Sequence, residues 1–206
     1  MKRGMADLVL VGRSSSHFTR TARVFALELG VPHQFRPVLD MTVTEPANYG
    51  GNPALKVPIL IDEQGPLFGT ENICREVARR SGRRERVVLR GDVADRRVAN
   101  AEELILHAMS SEVILIMSGK ETPPGKVRPS LENALAFLDA NLEGIRGALP
   151  ADRVLSFCEV SLYCLVTHLP FRKIMEVDGY PRLVAFCRDF GQRAGARETG
   201  YRFDAA

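Results

Sequence analysis

The chain has no tryptophan, only 7% aromatic residues, and four cysteines (Cys74, Cys158, Cys164 and Cys187) that form no CxxC pair. Thiols so widely spaced, mostly on apolar helical positions, read as buried and reduced rather than as a disulfide framework or a metal-ligand set. Long apolar runs are missing too. Leu8–Val11, which follows Met1, Lys2 and Arg3, is far too short for a secretory segment or a membrane span, so the expectation is a cytoplasmic chain with no membrane partner. Charge of one sign is equally scarce: 28 Lys plus Arg against 25 Asp plus Glu leave a net +3, too small and too evenly spread to point to a nucleic-acid partner. Internal repeats and low-complexity tracts are absent. What remains is a 45% apolar chain of 206 residues, able to bury one large core or two small ones.

The order of elements favours two. Leu8–Val11, closed by Gly12, reads as a strand buried on both faces. From His17 the apolar residues Phe18, Ala22, Phe25, Ala26 and Leu29 recur at helical spacing, and Gly30 with Pro32 supplies the stop. Gln34–Val38 is a parallel strand whose Pro37 places it at a sheet edge. Met41–Ala54 is rich in turn formers and reads as an ordered loop beside a site. Ile59–Ile61 and Leu67–Phe68, joined by Asp62–Pro66, form a hairpin, and a helix over Glu71–Arg80 follows with Thr70 as its N-cap. The sum, β-α-β-β-β-α, is a small mixed sheet covered by helices.

Beyond Gly82 the pattern changes. Arg79, Arg80, Arg83, Arg84, Arg86 and Arg90 read as a solvated basic connection, and every later element reads as a helix. Apolar spacing predicts one from Ala101 through Met117 and another after Pro129. Ser156 with Glu159 forms a capping box, Pro170 stops that helix, and a last amphipathic helix begins near Pro181. The fold class is therefore α/β plus all-α, with one domain over residues 1–82 and an all-helical one over 83–206.

Three stretches resemble the glutathione S-transferase family. Ser16-His17-Phe18-Thr19-Arg20-Thr21-Ala22-Arg23 is similar to its S-P-[FY]-[SC]-R-x-x-R opening of helix one. Asn52-Pro53-Ala54-Leu55-Lys56-Val57-Pro58-Ile59-Leu60 is close to N-P-x-G-K-V-P-x-L, the most specific of the three. Leu155-Ser156-Phe157-Cys158-Glu159 resembles the L-S-x-A-D start of the core helix, and Tyr180-Pro181-Arg182-Leu183 the start of a late one. The resemblance implies a thioredoxin-like first domain, a helical second domain, glutathione as co-substrate, an electrophilic small molecule as partner, and a homodimer. No metal is implied.

A free thiol has a pKa of about 8.5, so a protein that reacts glutathione as thiolate must stabilise the anion. A helix N-terminus and a serine hydroxyl do this, and lowering the pKa by roughly two units takes about 2.7 kcal/mol. By its match to the family's Ser or Cys, Ser16 is the candidate thiolate-activating donor, with Ser14 and Ser15 as alternatives, although a serine here also suits a plain helix cap. Val57 and the following Pro58, a cis proline in the family, imply main-chain pairing with the cysteinyl part of glutathione, with Lys56 alongside. Family members carry an acid or Gln followed by Ser before helix three; here Gly69-Thr70-Glu71 stands there. Thr70 keeps the hydroxyl, Gly69 removes the acid, and Glu71 either replaces it or is only a favourable first-turn acid. His17, more simply a solvated residue, and His107, Ser110 and Ser111 on the first helix of the second domain are the candidate substrate contacts. Two functional classes are open: a glutathione-transferring enzyme, or a non-catalytic binding or dimerisation module on the same fold, which Gly69 favours.

Overall fold

Strand β1 (Val9–Gly12) lies inside a four-stranded sheet of order β2-β1-β3-β4, which is why its sequence is continuously apolar. The computed structural model describes residues 8–119 and 125–205; Met1, Lys2 and Arg3 lie outside them. β2 (Gln34–Pro37) is parallel to β1 and occupies the sheet edge, as its proline requires. β3 (Ile59–Asp62) and β4 (Gly65–Phe68) are antiparallel, with Val11 opposite Ile59 and Ile59 opposite Phe68. The turn between them is tighter than the Asp62–Pro66 span read from sequence, since Asp62 already pairs with Gly65. By strand alternation Leu10 and Leu60 share one face, while Val11 and Ile59 share the other with Val38 and Tyr49.

Helix α1 (His17–Glu28) starts on Ser16 and ends where Val31 N–H returns to Ala26 C=O at 2.8 Å, around the expected Gly30. Gly12 is required by close approach: a Cβ there would lie 2.4 Å from Thr19 Cγ2 in the first turn of α1. The Met41–Ala54 loop holds a 3₁₀ turn, Pro46–Tyr49, that hydropathy periodicity is too short to reveal. Helix α2 (Thr70–Arg80) begins one residue earlier than expected, so Thr70 is its first residue and Gly69, at φ +88°, is the N-cap.

The chain divides into two units, one running through Arg84 and resuming at Arg193, the other Glu85–Gln192. The second unit has more than helices. β5 (Val87–Val88) pairs in parallel with β6 (Leu155–Ser156), a two-residue ladder too short to carry a period. Its helices are α3 (Arg96–Ser118, capped by Asp95), α4 (Val127–Gly147), α5 (Phe157–Phe171) and α6 (Pro181–Phe190). α4 begins two residues before Pro129, a position in the first turn where a missing N–H costs nothing. α5 runs one residue past Pro170. The basic stretch is largely solvated, with Arg79, Arg83 and Arg86 exposed, but several of its arginines are also engaged: Arg79 and Arg80 belong to α2 and bond Glu76, Arg80 also bonds Asp62, Arg86 bonds Asp152 C=O, and Arg90 pairs with Glu103 at 2.6 Å.

A further helix, α7 (Ala194–Glu198), follows the one expected to be last, and it joins the first unit rather than the helical one. Two contacts explain this. Arg193 pairs with Glu28 at 2.7 Å, and Gly195 N–H donates to the same carboxylate at 2.7 Å.

Candidate functional site

Sheet register brings the candidate residues of the first unit to one end. β3 starts opposite the end of β1, so Pro58, just before Ile59, lies beside the Gly12–Ser16 loop that opens α1. β4 ends opposite Ile59, so Gly69 and the start of α2 reach the same end. A hydrogen bond ties the two helix starts together, Thr70 Oγ1 donating to Phe18 C=O at 3.4 Å.

Ser16 is the N-cap of α1, its Oγ accepting from Thr19 N–H at 3.3 Å. The cap uses a lone pair and leaves the hydroxyl proton for another acceptor, so capping and donation to an anion are compatible in one side chain. The Val57–Pro58 bond is cis, as the resemblance implies. Among the described residues neither the N–H nor the C=O of Val57 takes a hydrogen bond, while its side chain packs against the Val11–Tyr49–Ile59 cluster. An unpaired donor and acceptor beside a strand are what an extended peptide would pair with. Asn52 shapes this corner from behind, its amide donating to Lys56 C=O at 2.8 Å and its Oδ1 accepting from Ala54 N–H at 3.0 Å. Lys56 itself is exposed. α2 starts without a side-chain cap, which leaves a helix N-terminus open at the same end.

The other candidates are buried or engaged with other partners. Ser14 is buried and turned to the segment after α7: its N–H donates to Asp204 at 2.7 Å and its Oγ accepts from Arg23 at 3.4 Å. Ser15 is buried as well. His17 is not solvated surface but buried, at 1% exposure, with its ring 4.5 Å from that of Phe18. Glu71 pairs with Arg75 one turn on at 3.2 Å, the ordinary behaviour of a first-turn acid. In the second unit, His107 Nε2 lies 3.0 Å from Ser130 Oγ of α4 and 3.4 Å from Ser111 Oγ, and Ser110 donates back to Leu106 C=O. His107 and Ser111 therefore join α3 to Ser130 of α4, while Ser110 bonds within α3. Of the thiols, Cys74, Cys158 and Cys164 are buried and Cys187 is half-buried; burial pushes the Cys158 thiol far up, so it is no nucleophile.

Residues 10–85 match the family model described as Glutathione S-transferase, N-terminal domain. The chain has the glutathione S-transferase fold. A glutathione S-transferase from Methylobacillus flagellatus KT, solved with glutathione bound, is 20% identical, superposes with TM-score 0.78, and covers 95% of this chain and 100% of its own. A glutathione transferase family member from Pseudomonas fluorescens Pf-5, also with bound glutathione, gives 19% identity and TM-score 0.74 over 95% of this chain and 100% of its own. An unclassified glutathione S-transferase from Bombyx mori gives 18% and 0.71 over 95% and 93%. No curated protein matches. At these identities the likeness is one of fold, a thioredoxin-like domain with a mixed sheet followed by a helical domain. No helix among the described residues is long and apolar enough to cross a membrane.

What sequence reasoning missed in the first unit is Asp204 and the purpose of Arg20 and Arg23. The R-x-x-R spacing of helix one was the available signal, because residues three apart share one helix face.

Proposed function

We propose that the protein is a glutathione transferase that binds glutathione as thiolate at the start of α1. The observation that supports this reading is the meeting, at one sheet end, of the Ser16 cap, the unpaired main chain of Val57 before cis Pro58, and the uncapped start of α2. Each suits one part of the tripeptide. The Ser16 hydroxyl and the α1 dipole stabilise the sulfur anion, Val57 pairs with the cysteinyl main chain, and the backbone N–H groups that open α2, Thr70 among them, receive the γ-glutamyl carboxylate, the Thr70 hydroxyl being engaged with Phe18 C=O.

The chemistry then needs little more from the chain. The thiol proton leaves to solvent as glutathione binds, the thiolate attacks an electrophilic carbon of a hydrophobic small molecule, and a C–S bond forms as a leaving group departs or a proton is taken up. Ser16 donates a hydrogen bond and is not itself the nucleophile. His107, Ser110 and Ser111 are proposed substrate contacts, and the assembly is proposed to be a cytoplasmic homodimer. Retention on immobilised glutathione and turnover of a generic aryl halide test the reading; absence of binding at millimolar glutathione would overturn it.

One observation favours a second reading. The position where the family holds an acid is Gly69, and Glu71 is engaged with Arg75, so the γ-glutamyl ammonium has lost its expected partner. A non-catalytic binding module on the same fold would retain ligand without turnover.

A further inference from the structure

The loop Arg13–Ser16, which presents the proposed thiolate donor, is anchored by a segment almost the whole chain away. Within the loop, Ser16 N–H donates to Arg13 C=O at 3.1 Å and Arg13 N–H to Thr19 Oγ1 at 3.3 Å. Ser14 N–H instead goes to the Asp204 carboxylate at 2.7 Å, across 190 residues of sequence. The path of residues 199–204 is set by α1. Arg20 donates from Nε to Thr199 Oγ1 at 3.3 Å and from an Nη to Ala196 C=O at 3.1 Å, and its guanidinium lies 4.2 Å over the Tyr201 ring. Arg23, 4.3 Å over the Phe35 ring, reaches Ser14 Oγ. Burial and the neighbouring Arg202 pull the Arg23 guanidinium below its ordinary value, and Asp204 opposes them. Asp204 thus serves two groups at once: it accepts from the loop and offsets positive charge gathered beside it.

We propose that Asp204 is a positioning residue for the thiolate site, fixing the Ser14–Ser16 loop and through it the direction of the Ser16 hydroxyl. This rests on the reading that Ser16 receives the glutathione sulfur. Two roles for Asp204 predict opposite signs. Acting only as a nearby negative charge, it would disfavour the thiolate, and its removal would lower the thiol pKa. Acting as an anchor, it keeps the donor aimed, and its removal raises that pKa.

The test compares wild type, Asp204→Ala and Asp204→Asn as full chains. Thiolate absorbance of bound glutathione is followed against pH, kcat and KM for glutathione are measured, and exchange of the Ser14 amide proton is read by NMR. The anchor predicts faster Ser14 exchange in Asp204→Ala, a raised thiol pKa, and a loss of about tenfold in kcat/KM for glutathione, the scale of one charge-assisted hydrogen bond. Asp204→Asn keeps an acceptor oxygen and recovers most of this. A thiol pKa in Asp204→Ala that is unchanged or lowered overturns the proposal, as does Ser14 exchange that does not respond. Wild type with a protected Ser14 amide but no bound thiolate overturns the functional reading itself, and the positioning role with it.

Discussion

On the proposed reading Ser16 caps α1 and donates to the glutathione sulfur with one hydroxyl, and the two roles separate by substitution. Ser16→Ala removes the cap and should cost about 1 kcal/mol of stability. It should also raise the pKa of bound glutathione by roughly one to two units, as loss of a hydrogen bond to a charged group of about 1.5–3 kcal/mol implies. Ser16→Thr keeps the hydroxyl and should retain most of both. Urea unfolding and thiolate absorbance against pH measure the two effects; a stability loss with the thiol pKa unmoved would leave Ser16 a cap alone. Gly69 can be reasoned about in the same way. Its φ of +88° suits glycine, and a Cβ would meet nothing nearer than Asn72 Nδ2 at 3.7 Å, so the penalty of a side chain is in the backbone rather than in a clash. Gly69→Glu should therefore cost about 1–3 kcal/mol and leave glutathione affinity unimproved, because the backbone must rearrange to seat the new acid. A gain in affinity, read by calorimetric titration, would contradict this.

Among the elements, the β6–α5 corner and the α3–α5 contact hold two buried glutamates of opposite behaviour. Burial pushes the Glu159 carboxyl up, but hydrogen bonds and charge from Arg153, with Arg146 and the Ser156 hydroxyl, outweigh it and hold the group below its ordinary 4.5. The stability it contributes is full above the ordinary carboxylate range and is lost as pH falls through the lowered value. Glu112 is the reverse: burial raises its carboxyl, with His168 Nδ1 at 2.8 Å opposing, so its contribution is present below 4.5 and lost as pH rises through the raised value. Urea midpoints between acid and neutral pH should show the advantage of wild type over Glu159→Gln growing with pH and its advantage over Glu112→Gln shrinking. Glu159→Ala, which strands the mostly buried Arg153, should cost about 3 kcal/mol at neutral pH. Half of the Ser156–Glu159 motif was legible in sequence. Ser156 does cap α5, accepting from Glu159 N–H at 3.1 Å, but the arginines that claim the carboxylate carry no local signal. The Met41–Ala54 loop was legible only as an ordered segment. Its anchor is Tyr49, buried to 1%, whose hydroxyl lies 2.8 Å from Val43 C=O and 3.0 Å from Met41 C=O; Tyr49→Phe should cost about 1 kcal/mol.

For the molecule as a whole, sequence periodicity and turn residues were enough to place the β-α-β-β-β-α half and most of the helices after it, because those signals repeat every two or four residues. Pairings across long separations were not. The β5–β6 ladder joins Val87 to Leu155, and the Asp204 carboxylate meets Ser14, with nothing periodic at either end to mark the partner. That is also why residues from Arg193 onward read as part of the helical half and belong instead to the first unit. The geometry of the candidate residues was legible where a motif is local, as in the Ser16 cap and the cis Val57–Pro58 bond. It was not legible where a neighbour in space intervenes, as when Arg75 claims Glu71 or the fold buries His17. The most direct measurement is a crystal structure of the full chain grown with glutathione. The account predicts the sulfur within about 3.5 Å of Ser16 Oγ and the cysteinyl main chain paired with Val57. Glutathione bound with its sulfur away from the start of α1, or no glutathione at that sheet end at millimolar concentration, would contradict it.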